Sequence, residues 1–153
     1  MIPQGYHTVT PWLITRDTAR LIDFTKAAFD AEEIARVEFG GAIGHAEVRI
    51  GDSVVMMFDS RDDWAETPGF LRLYVEDCDA VFQQAVDAGA VEVTRPTTLY
   101  FGDRVGRVRD PLGNLWWIQT RLEELDEDEL AKRVDQPEYV AAMEYVTSAK
   151  IVT

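Results

Sequence analysis

Two separated pairs of segments in this chain match each other at one common spacing. Residues 10–24 align with residues 70–84, and residues 49–58 align with residues 109–118, both at an offset of 60 positions. The matched positions include Leu13 with Leu73, Asp17 with Asp77, Arg49 with Arg109 and Met57 with Trp117. Self-similarity at a fixed spacing indicates a duplicated structural unit. The sequence therefore predicts two copies of one motif in a chain of 153 residues, a length that suits one domain.

Each half predicts the same order of elements: strand, helix, strand, strand, strand. Residues 9–14 and 70–75 are rich in β-branched and aromatic side chains, as strands are. An aspartate that can cap a helix follows each of them, Asp17 in the first half and Asp77 or Asp79 in the second. We expect a single domain, residues 1–153, with repeat one at about 8–60, a linker at 61–68, repeat two at about 69–120 and a C-terminal helical segment at 121–153.

Charge and cysteine content narrow the classes of partner. The formal net charge is −13, which disfavours nucleic acid and anionic membranes because both require a cationic surface. Cys78 is the only cysteine, so the chain has no intrachain disulfide and suits a reducing, cytoplasmic setting. The N-terminal residues show no signal peptide, and no apolar run approaches the length that spans a membrane.

Four stretches carry a resemblance to a known family. They are, in chain order, IDFTKAAFDAEE, GHAEVRIGDSVVMMFD, LYVEDCDAVFQQAVDAGA and FGDRVGRVRDPLGNLWWIQT. The chain from about Thr8 to about Leu130 resembles the glyoxalase/bleomycin resistance/dioxygenase superfamily, also called the vicinal oxygen chelate fold, and more narrowly its PhnB-like branch. The resemblance implies an α+β fold in which two βαβββ repeats form a curved mixed sheet around a central cavity, with helices on the convex side. The C-terminal segment adds further helices.

The resemblance also bears on metal binding. In metal-dependent members, one ligand enters the cavity from the first strand and one from the last strand of each repeat, which implies the positions Thr10, Met57, Phe70 and Trp117 here. None of these is a usual ligand, since such sites use histidine nitrogens and carboxylate oxygens. We therefore expect neither a metal nor another cofactor.

Strand alternation predicts the rest of the cavity wall, because adjacent residues of a strand point to opposite faces. The predicted ligand-binding residues are Trp12, Met57, Phe70, Arg72, Tyr74, Phe101, Trp117 and Gln119. Such a mixture of aromatic surface and a few polar groups is typical of ligand pockets. A second interpretation of Trp117 and Phe70 stays open, in which they fill the interior as ordinary core.

His45 and Glu47 are the best pair of chemical groups in the sequence. They are same-face neighbours on a predicted strand, so the carboxylate can contact the imidazole, and together they can transfer protons. The alternative is a polar rim pair bound to Arg49 or Arg72.

Two classes of function follow. The first is a protein that binds a small, partly aromatic molecule in the sheet cavity without a catalytic metal. The second is an enzyme of the same superfamily, an isomerase, lyase or dioxygenase, that uses His45 and Glu47 with a displaced metal or as an acid–base pair. We expect binding rather than catalysis, and the resemblance implies a homodimer.

Overall fold

Each half of the chain folds as a strand, a helix and three further strands. The computed structural model describes residues 1–152. The elements are β1 Trp12–Thr15, α1 Thr18–Phe29, β2 Glu32–Phe39, β3 Ala42–Ile50, β4 Ser53–Asp59, β5 Phe70–Tyr74, α2 Cys78–Asp87, β6 Val91–Thr98, β7 Asp103–Arg109, β8 Leu115–Arg121, α3 Glu127–Arg133 and α4 Pro137–Thr147. The predicted α+β fold with two βαβββ repeats and extra C-terminal helices is confirmed.

The strands form two mixed sheets of four with the same topology. The first has the order β1-β4-β3-β2 and the second the order β5-β8-β7-β6. In each sheet the first and last strands of the repeat pair in parallel, and the other pairs are antiparallel. Ile14 of β1 forms an isolated antiparallel bridge with Thr67, in the segment that leads into β5.

Both helices of the repeats begin at a capping aspartate. The Asp17 carboxylate accepts a hydrogen bond from the Arg20 backbone N–H at 3.0 Å, and Asp77 accepts one from the Ala80 N–H at the same distance. Each bond satisfies one of the amide donors that a helix leaves unpaired in its first turn. The prediction of Asp17 as a cap is confirmed, and Asp77 rather than Asp79 is the cap in the second repeat.

The main core lies between the helices and one face of each sheet, called here the helix face. Its largest buried side chain is Trp116 of β8, whose ring centroid lies 4.8 Å from that of Phe29 in α1. Helix α1 thus packs against the second repeat, and α1 and α2 contact each other. Burial of a large apolar side chain contributes about 1.5–3 kcal/mol, so this shared core holds the two repeats together.

The turn between β7 and β8 is organised by one buried carboxylate. Asp110 accepts hydrogen bonds from the backbone N–H groups of Leu112 at 2.8 Å and Asn114 at 3.0 Å. It also accepts bonds from Asn114 Nδ2 at 2.9 Å and Trp116 Nε1 at 2.8 Å. Gly113 has φ of +94°, a left-handed conformation that glycine adopts readily. The turn therefore fixes where β8 starts and which tryptophan enters the core.

The other face of each sheet, called here the open face, carries the side chains that alternate with the core. On the first sheet it presents Trp12, Ile14, His45, Glu47, Met56 and Phe58, and on the second Phe70, Arg72, Tyr74, Arg107, Leu115, Trp117 and Gln119. His45 and Glu47 share the open face, as predicted for same-face neighbours, and Ala46 and Val48 between and beside them are fully buried in the helix-side core.

The prediction that Met57 lines the cavity is wrong. Met57 is fully buried in the helix-side core, and it pairs with Leu13 and Ala46 of that same face. The error lies in the assumption of one constant offset. Trp12 and Arg72 occupy equivalent positions 60 apart, but their partners Met56 and Trp117 are 61 apart. The reason is that five residues separate Arg109 from its partner Leu115, whereas four separate the equivalent pair Arg49 and Val54. A shift by one residue moves a side chain to the opposite face, so Met56 is the equivalent of Trp117.

The C-terminal helix α4 packs on the second repeat of its own chain. Val146 joins Leu99 and Val105 in a second buried cluster, against which Met143 also packs. The Tyr145 hydroxyl accepts a hydrogen bond at 2.9 Å from the backbone N–H of Arg95 in β6. Among residues 1–152, none of the helices combines the length and the apolar character that crossing a membrane requires.

Candidate functional site

Trp117 occupies the centre of the open face of the second sheet. It pairs with Arg72 on β5 and with Arg107 on β7, the two strands that flank β8. The Arg72 guanidinium carbon lies 4.0 Å from a Trp117 ring centroid, and that of Arg107 lies 3.7 Å from one. Both distances are within the range of cation–π attraction. Two cations therefore contact one indole.

Arg107 is almost entirely buried, with 4% of its surface exposed. Its Nη1 donates to Thr94 Oγ1 at 3.1 Å and to the Val146 carbonyl of α4 at 2.8 Å. Burial, and then the positive charge of Arg72, lower the pKa of Arg107 below its ordinary value. The guanidinium thus lies in a desolvated place beside another cation, which disfavours its charged form.

Unpaired polar atoms concentrate around Trp117. In the part of the chain described, residues 1–152, four buried side-chain nitrogen or oxygen atoms have no hydrogen-bond partner. Three of the four are Arg107 Nε, Trp117 Nε1 and Gln119 Oε1. Buried polar groups are normally hydrogen-bonded, so a cluster of exceptions requires an explanation, and a bound molecule is one.

A cavity of about 300 Å³ opens beside Trp117, called here the Trp117 cavity. It is lined by Phe70, Leu71, Arg72, Leu115, Trp117 and Ile151. Three of the residues predicted from the sequence, Phe70, Arg72 and Trp117, are thus brought together. Its volume lies at the lower end of small-molecule pockets. One cation among apolar and aromatic walls can orient a ligand as well as bind it.

Two further predicted residues lie near Trp117 without lining the cavity. Phe101 packs with Trp117 against the cluster of Leu99, Val105 and Val146 under α4. Gln119 is buried, and its Nε2 donates to the Asp103 carboxylate. Both residues support the position of the indole rather than forming the cavity wall.

Tyr74 lines a different space. A cleft of about 860 Å³ lies between the segment before β1, the β3–β4 turn and β5, and both Arg72 and Tyr74 contribute to its wall. Arg72 therefore stands between this cleft and the Trp117 cavity.

The open face of the first sheet holds a separate group of titratable side chains. His45 Nε2 lies 2.8 Å from Glu47 Oε1, and the hydroxyl of Tyr6 donates a hydrogen bond to Glu47 Oε2. The Tyr6 hydrogen bond lowers the pKa of Glu47, partial burial opposes this, and the His45 contact lowers it further. The same bond raises the pKa of Tyr6. Neither Arg49 nor Arg72 binds this pair, since Arg49 forms its ion pair with Glu32.

An aromatic group stands beside these three residues. Trp12 contacts Phe58 and Trp64 edge to face, with ring centroids 5.3 and 5.8 Å away, and the His45 ring lies 5.4 Å from Phe58. The linker residue Trp64 thus packs over the first sheet. Trp12, which the sequence grouped with Trp117, belongs to this separate site.

The four positions that the resemblance implies as metal ligands do not fit a metal. The Thr10 hydroxyl donates to the His7 carbonyl at 3.2 Å, Met57 lies in the helix-side core, and Phe70 and Trp117 carry no ligand atom. The open-face side chains of the first and last strands of each repeat include Trp12, Met56, Phe70 and Trp117, which offer no imidazole or carboxylate. Within residues 1–152, no three or more His, Cys, Asp or Glu side chains gather as a metal site would require.

Sequence reasoning missed Tyr6, Arg107 and Ile151. Tyr6 and Ile151 come from the two ends of the described chain, and no local pattern signals where those segments pack. A signal for Arg107 did exist, because it lies 60 positions after Glu47 on the equivalent strand and therefore shares its face. The two repeats thus place opposite charges at equivalent positions.

Comparison with known proteins identifies the family. The uncharacterized protein Rv0887c of Mycobacterium tuberculosis is 37% identical over 134 residues, 80% of this chain and 79% of that protein. A Mycobacterium bovis protein, Mb0911c, has the same identity over 88% of its length. The crystal structure of TioX from Micromonospora sp. ML1 aligns with a TM-score of 0.67 and 25% identity, covering 76% of this chain and 99% of that one.

The crystal structure of a glyoxalase/bleomycin resistance protein/dioxygenase family enzyme from Burkholderia phytofirmans aligns with a TM-score of 0.62 and 21% identity, covering 74% of this chain and 97% of that one. At this identity the likeness is one of fold alone. The sequence model of the Glyoxalase/Bleomycin resistance protein/Dioxygenase superfamily matches residues 6–118, most of both repeats. With two βαβββ repeats and this match, the chain belongs to the glyoxalase/bleomycin resistance protein/dioxygenase superfamily.

Proposed function

We propose that this chain binds a small, partly aromatic molecule in the Trp117 cavity and does so without a catalytic metal. The observation that carries the proposal is the indole of Trp117 on the wall of a cavity that Phe70 also lines, with the Arg72 guanidinium carbon 4.0 Å from a Trp117 ring centroid. An indole that served only as core would bury its ring against neighbours and leave no cavity beside it. Here the ring offers a flat aromatic surface to the cavity.

The experiment is calorimetric titration with 2-naphthamide, a neutral two-ring probe. We expect measurable binding to the wild type, and at least a tenfold weaker affinity for Trp117→Leu, which keeps apolar volume but removes the aromatic surface. Trp12→Leu is the matched control, because Trp12 lies on the open face of the other sheet. Equal affinities of the wild type and Trp117→Leu would contradict the proposal.

A second candidate function is supported by the Tyr6–Glu47–His45 group. The imidazole is 2.8 Å from a carboxylate that also accepts the Tyr6 hydrogen bond, and Trp12 and Phe58 stand beside it. In this alternative the chain is an isomerase or lyase in which His45 exchanges a proton with a carbonyl compound and Glu47 orients the imidazole. This mechanism needs only the residues present.

Solvent deuterium incorporation tests the alternative. A panel of carbonyl compounds with an acidic α-proton is incubated with the protein in deuterium oxide and followed by NMR. His45→Gln and Glu47→Gln should both slow the exchange that the wild type catalyses. Exchange at the same rate with and without protein, or with the wild type and His45→Gln, would contradict it.

Other features support two narrower proposals, one about the branch of the superfamily and one about the location of the protein in the cell. The four stretches that run from residue 22 to residue 120 support membership of the PhnB-like branch. A cytoplasmic location is supported by Cys78, a single buried thiol whose pKa burial raises to about 11, which makes it a poor thiolate for disulfide chemistry.

We also propose a homodimer. The supporting feature is a difference between the outer edges of the two sheets. Helix α4 packs against the edge strand β6, which exposes one large apolar side chain, Val91, whereas the equivalent strand β2 exposes three, Ile34, Val37 and Phe39, the last at 83%. An edge strand with exposed apolar side chains is a surface that a second chain can cover.

A further inference from the structure

We propose that the ligand of the Trp117 cavity is a planar aromatic carboxylate, whose anionic group pairs with the guanidinium of Arg72 while its ring lies against Trp117 and Phe70. The inference rests on the proposed function and gives the chemical class of its ligand.

Most arginines of the chain have an acidic partner, and most of those that lack one lie on the second sheet. Within residues 1–152, eight arginines form ion pairs with carboxylates: Arg16, Arg36, Arg49, Arg61, Arg95, Arg104, Arg121 and Arg133. The other four are Arg20, Arg72, Arg107 and Arg109. Three of these four lie on the second sheet, with Arg107 and Arg109 on β7 and Arg72 on β5. In a chain of net charge −13, which is rich in carboxylates, such a group of unpaired cations is unexpected.

Of these three arginines, only Arg72 has a guanidinium that is free of hydrogen bonds within the described residues. Arg107 is held by Thr94 and Val146, and Arg109 donates to the carbonyls of Gly113 and Ile151, each at 3.1 Å. Arg72 makes no hydrogen bond within the described residues, and it lines the Trp117 cavity. Its planar fork of donors therefore remains available and matches a carboxylate, which accepts two parallel N–H bonds.

Two positive charges lie close together beside the cavity, and a bound anion would reduce their repulsion. Arg72 and Arg107 both lie over Trp117, and their positive charges disfavour each other. A carboxylate bound to Arg72 would bring a negative charge close to both.

The size and lining of the cavity define the rest of the ligand. About 300 Å³ admits one or two aromatic rings, and Phe70, Leu115 and Ile151 provide apolar contacts for them. A sugar or a nucleotide would leave many hydroxyl groups against these apolar walls without hydrogen-bond partners.

The experiment compares two probes of almost equal shape, 2-naphthoate and neutral 2-naphthamide, by calorimetric titration at pH 7. The wild type should bind naphthoate at least tenfold more tightly than naphthamide. In Arg72→Gln the preference should fall to about one, because only the charge-assisted pair is lost. Arg20→Gln is the matched control, since Arg20 is exposed on α1, also lacks an acidic partner within residues 1–152 and should keep the full preference.

The outcomes separate this inference from the function beneath it. Equal binding of both probes by the wild type, or the same loss in Arg20→Gln as in Arg72→Gln, would overturn the carboxylate inference and leave aromatic binding in place. If neither probe binds to the wild type, both the carboxylate inference and the proposed aromatic binding are overturned. Arg72 is exposed, so the glutamine variant is expected to fold, and thermal melting of each variant verifies this.

Discussion

Trp116 and Trp117 are consecutive residues of β8, yet their indole N–H groups have opposite environments. Trp116 Nε1 donates to Asp110 Oδ2 at 2.8 Å in the main core, whereas Trp117 Nε1 is buried without a partner among residues 1–152. Strand alternation sends the two rings to opposite faces of the sheet. One tryptophan therefore belongs to the core that joins the repeats, and the other belongs to the candidate binding site.

The first prediction concerns the turn between β7 and β8 that Asp110 organises. Asp110→Ala should lower the free energy of unfolding by about 3 kcal/mol, because the Leu112, Asn114 and Trp116 donors lose a buried acceptor and each unpaired donor costs about 1–3 kcal/mol. Urea unfolding measures the change. Asp62→Ala in the exposed linker is the control and should change stability by less than about 0.5 kcal/mol. A loss below 1 kcal/mol for Asp110→Ala would contradict this account of the turn.

The Tyr6–Glu47 hydrogen bond predicts a dependence of stability on pH. It lowers the pKa of Glu47 below the ordinary value of 4.5, so the ionised carboxylate stabilises the folded state above that pH. This contribution is lost as the pH falls from 4.5 through the folded-state pKa. In Tyr6→Phe the pKa of Glu47 should rise towards 4.5, and the loss of melting temperature between pH 5 and pH 3 should be smaller than in the wild type.

NMR titration of the Glu47 carboxyl carbon measures the shift directly, and melting curves measure its effect. Tyr100→Phe is a suitable control, since Tyr100 packs against Phe101 in the second repeat, far along the chain from Glu47. Identical Glu47 titration curves in the wild type and Tyr6→Phe would show that the hydroxyl does not hold the carboxylate.

Metal addition gives the third prediction. The purified protein should contain no stoichiometric metal, and neither a chelator nor added Ni²⁺, Zn²⁺, Fe²⁺ or Mn²⁺ should raise or lower its melting temperature by more than about 1 °C. The physical reason is the lack of suitable donors at Trp12, Met56, Phe70 and Trp117. Stoichiometric metal together with a melting temperature that falls on chelation would favour the metal-dependent alternative.

The fourth prediction concerns assembly. Light scattering after size exclusion should give twice the chain mass of 17.3 kDa. Phe39→Glu places a charge on the exposed edge strand β2 and should shift the protein to the monomer. Val91→Glu is the matched change at the exposed apolar position of β6 and should leave the dimer intact. A monomeric wild type, or equal dissociation by both changes, would contradict the proposed interface.

Local patterns in the sequence were sufficient for the order of elements, whereas the arrangement of the sheets was what the family resemblance implied. The caps at Asp17 and Asp77 depend on residues close together in the chain, and the structure places both as such patterns require. Met57 was misplaced because the spacing between equivalent residues changes from 60 to 61 at the second hairpin turn. Alternation propagates such an error along the whole strand, and only the pairing partners reveal it.

The candidate sites were partly accessible in the same way. Phe70, Arg72 and Trp117 could be predicted because two neighbouring strands supply them. The cavity wall at Ile151 and the Tyr6 bond to Glu47 arise from segments more than 30 residues from their partners in the chain. Hydrophobic periodicity describes individual elements and contains no information about where an irregular segment packs.

The contrast between a net charge of −13 and the group of Arg72, Arg107 and Arg109 has a kinetic consequence. An approaching anion meets repulsion from the molecule as a whole before it reaches the guanidinium groups. Salt at about 0.1 M screens charges more than about 10 Å apart and weakens that repulsion, while the contact with Arg72 in the cavity is screened less. The association rate constant of an aromatic carboxylate should therefore rise with ionic strength, the reverse of electrostatically steered binding, and its dissociation rate constant should change little.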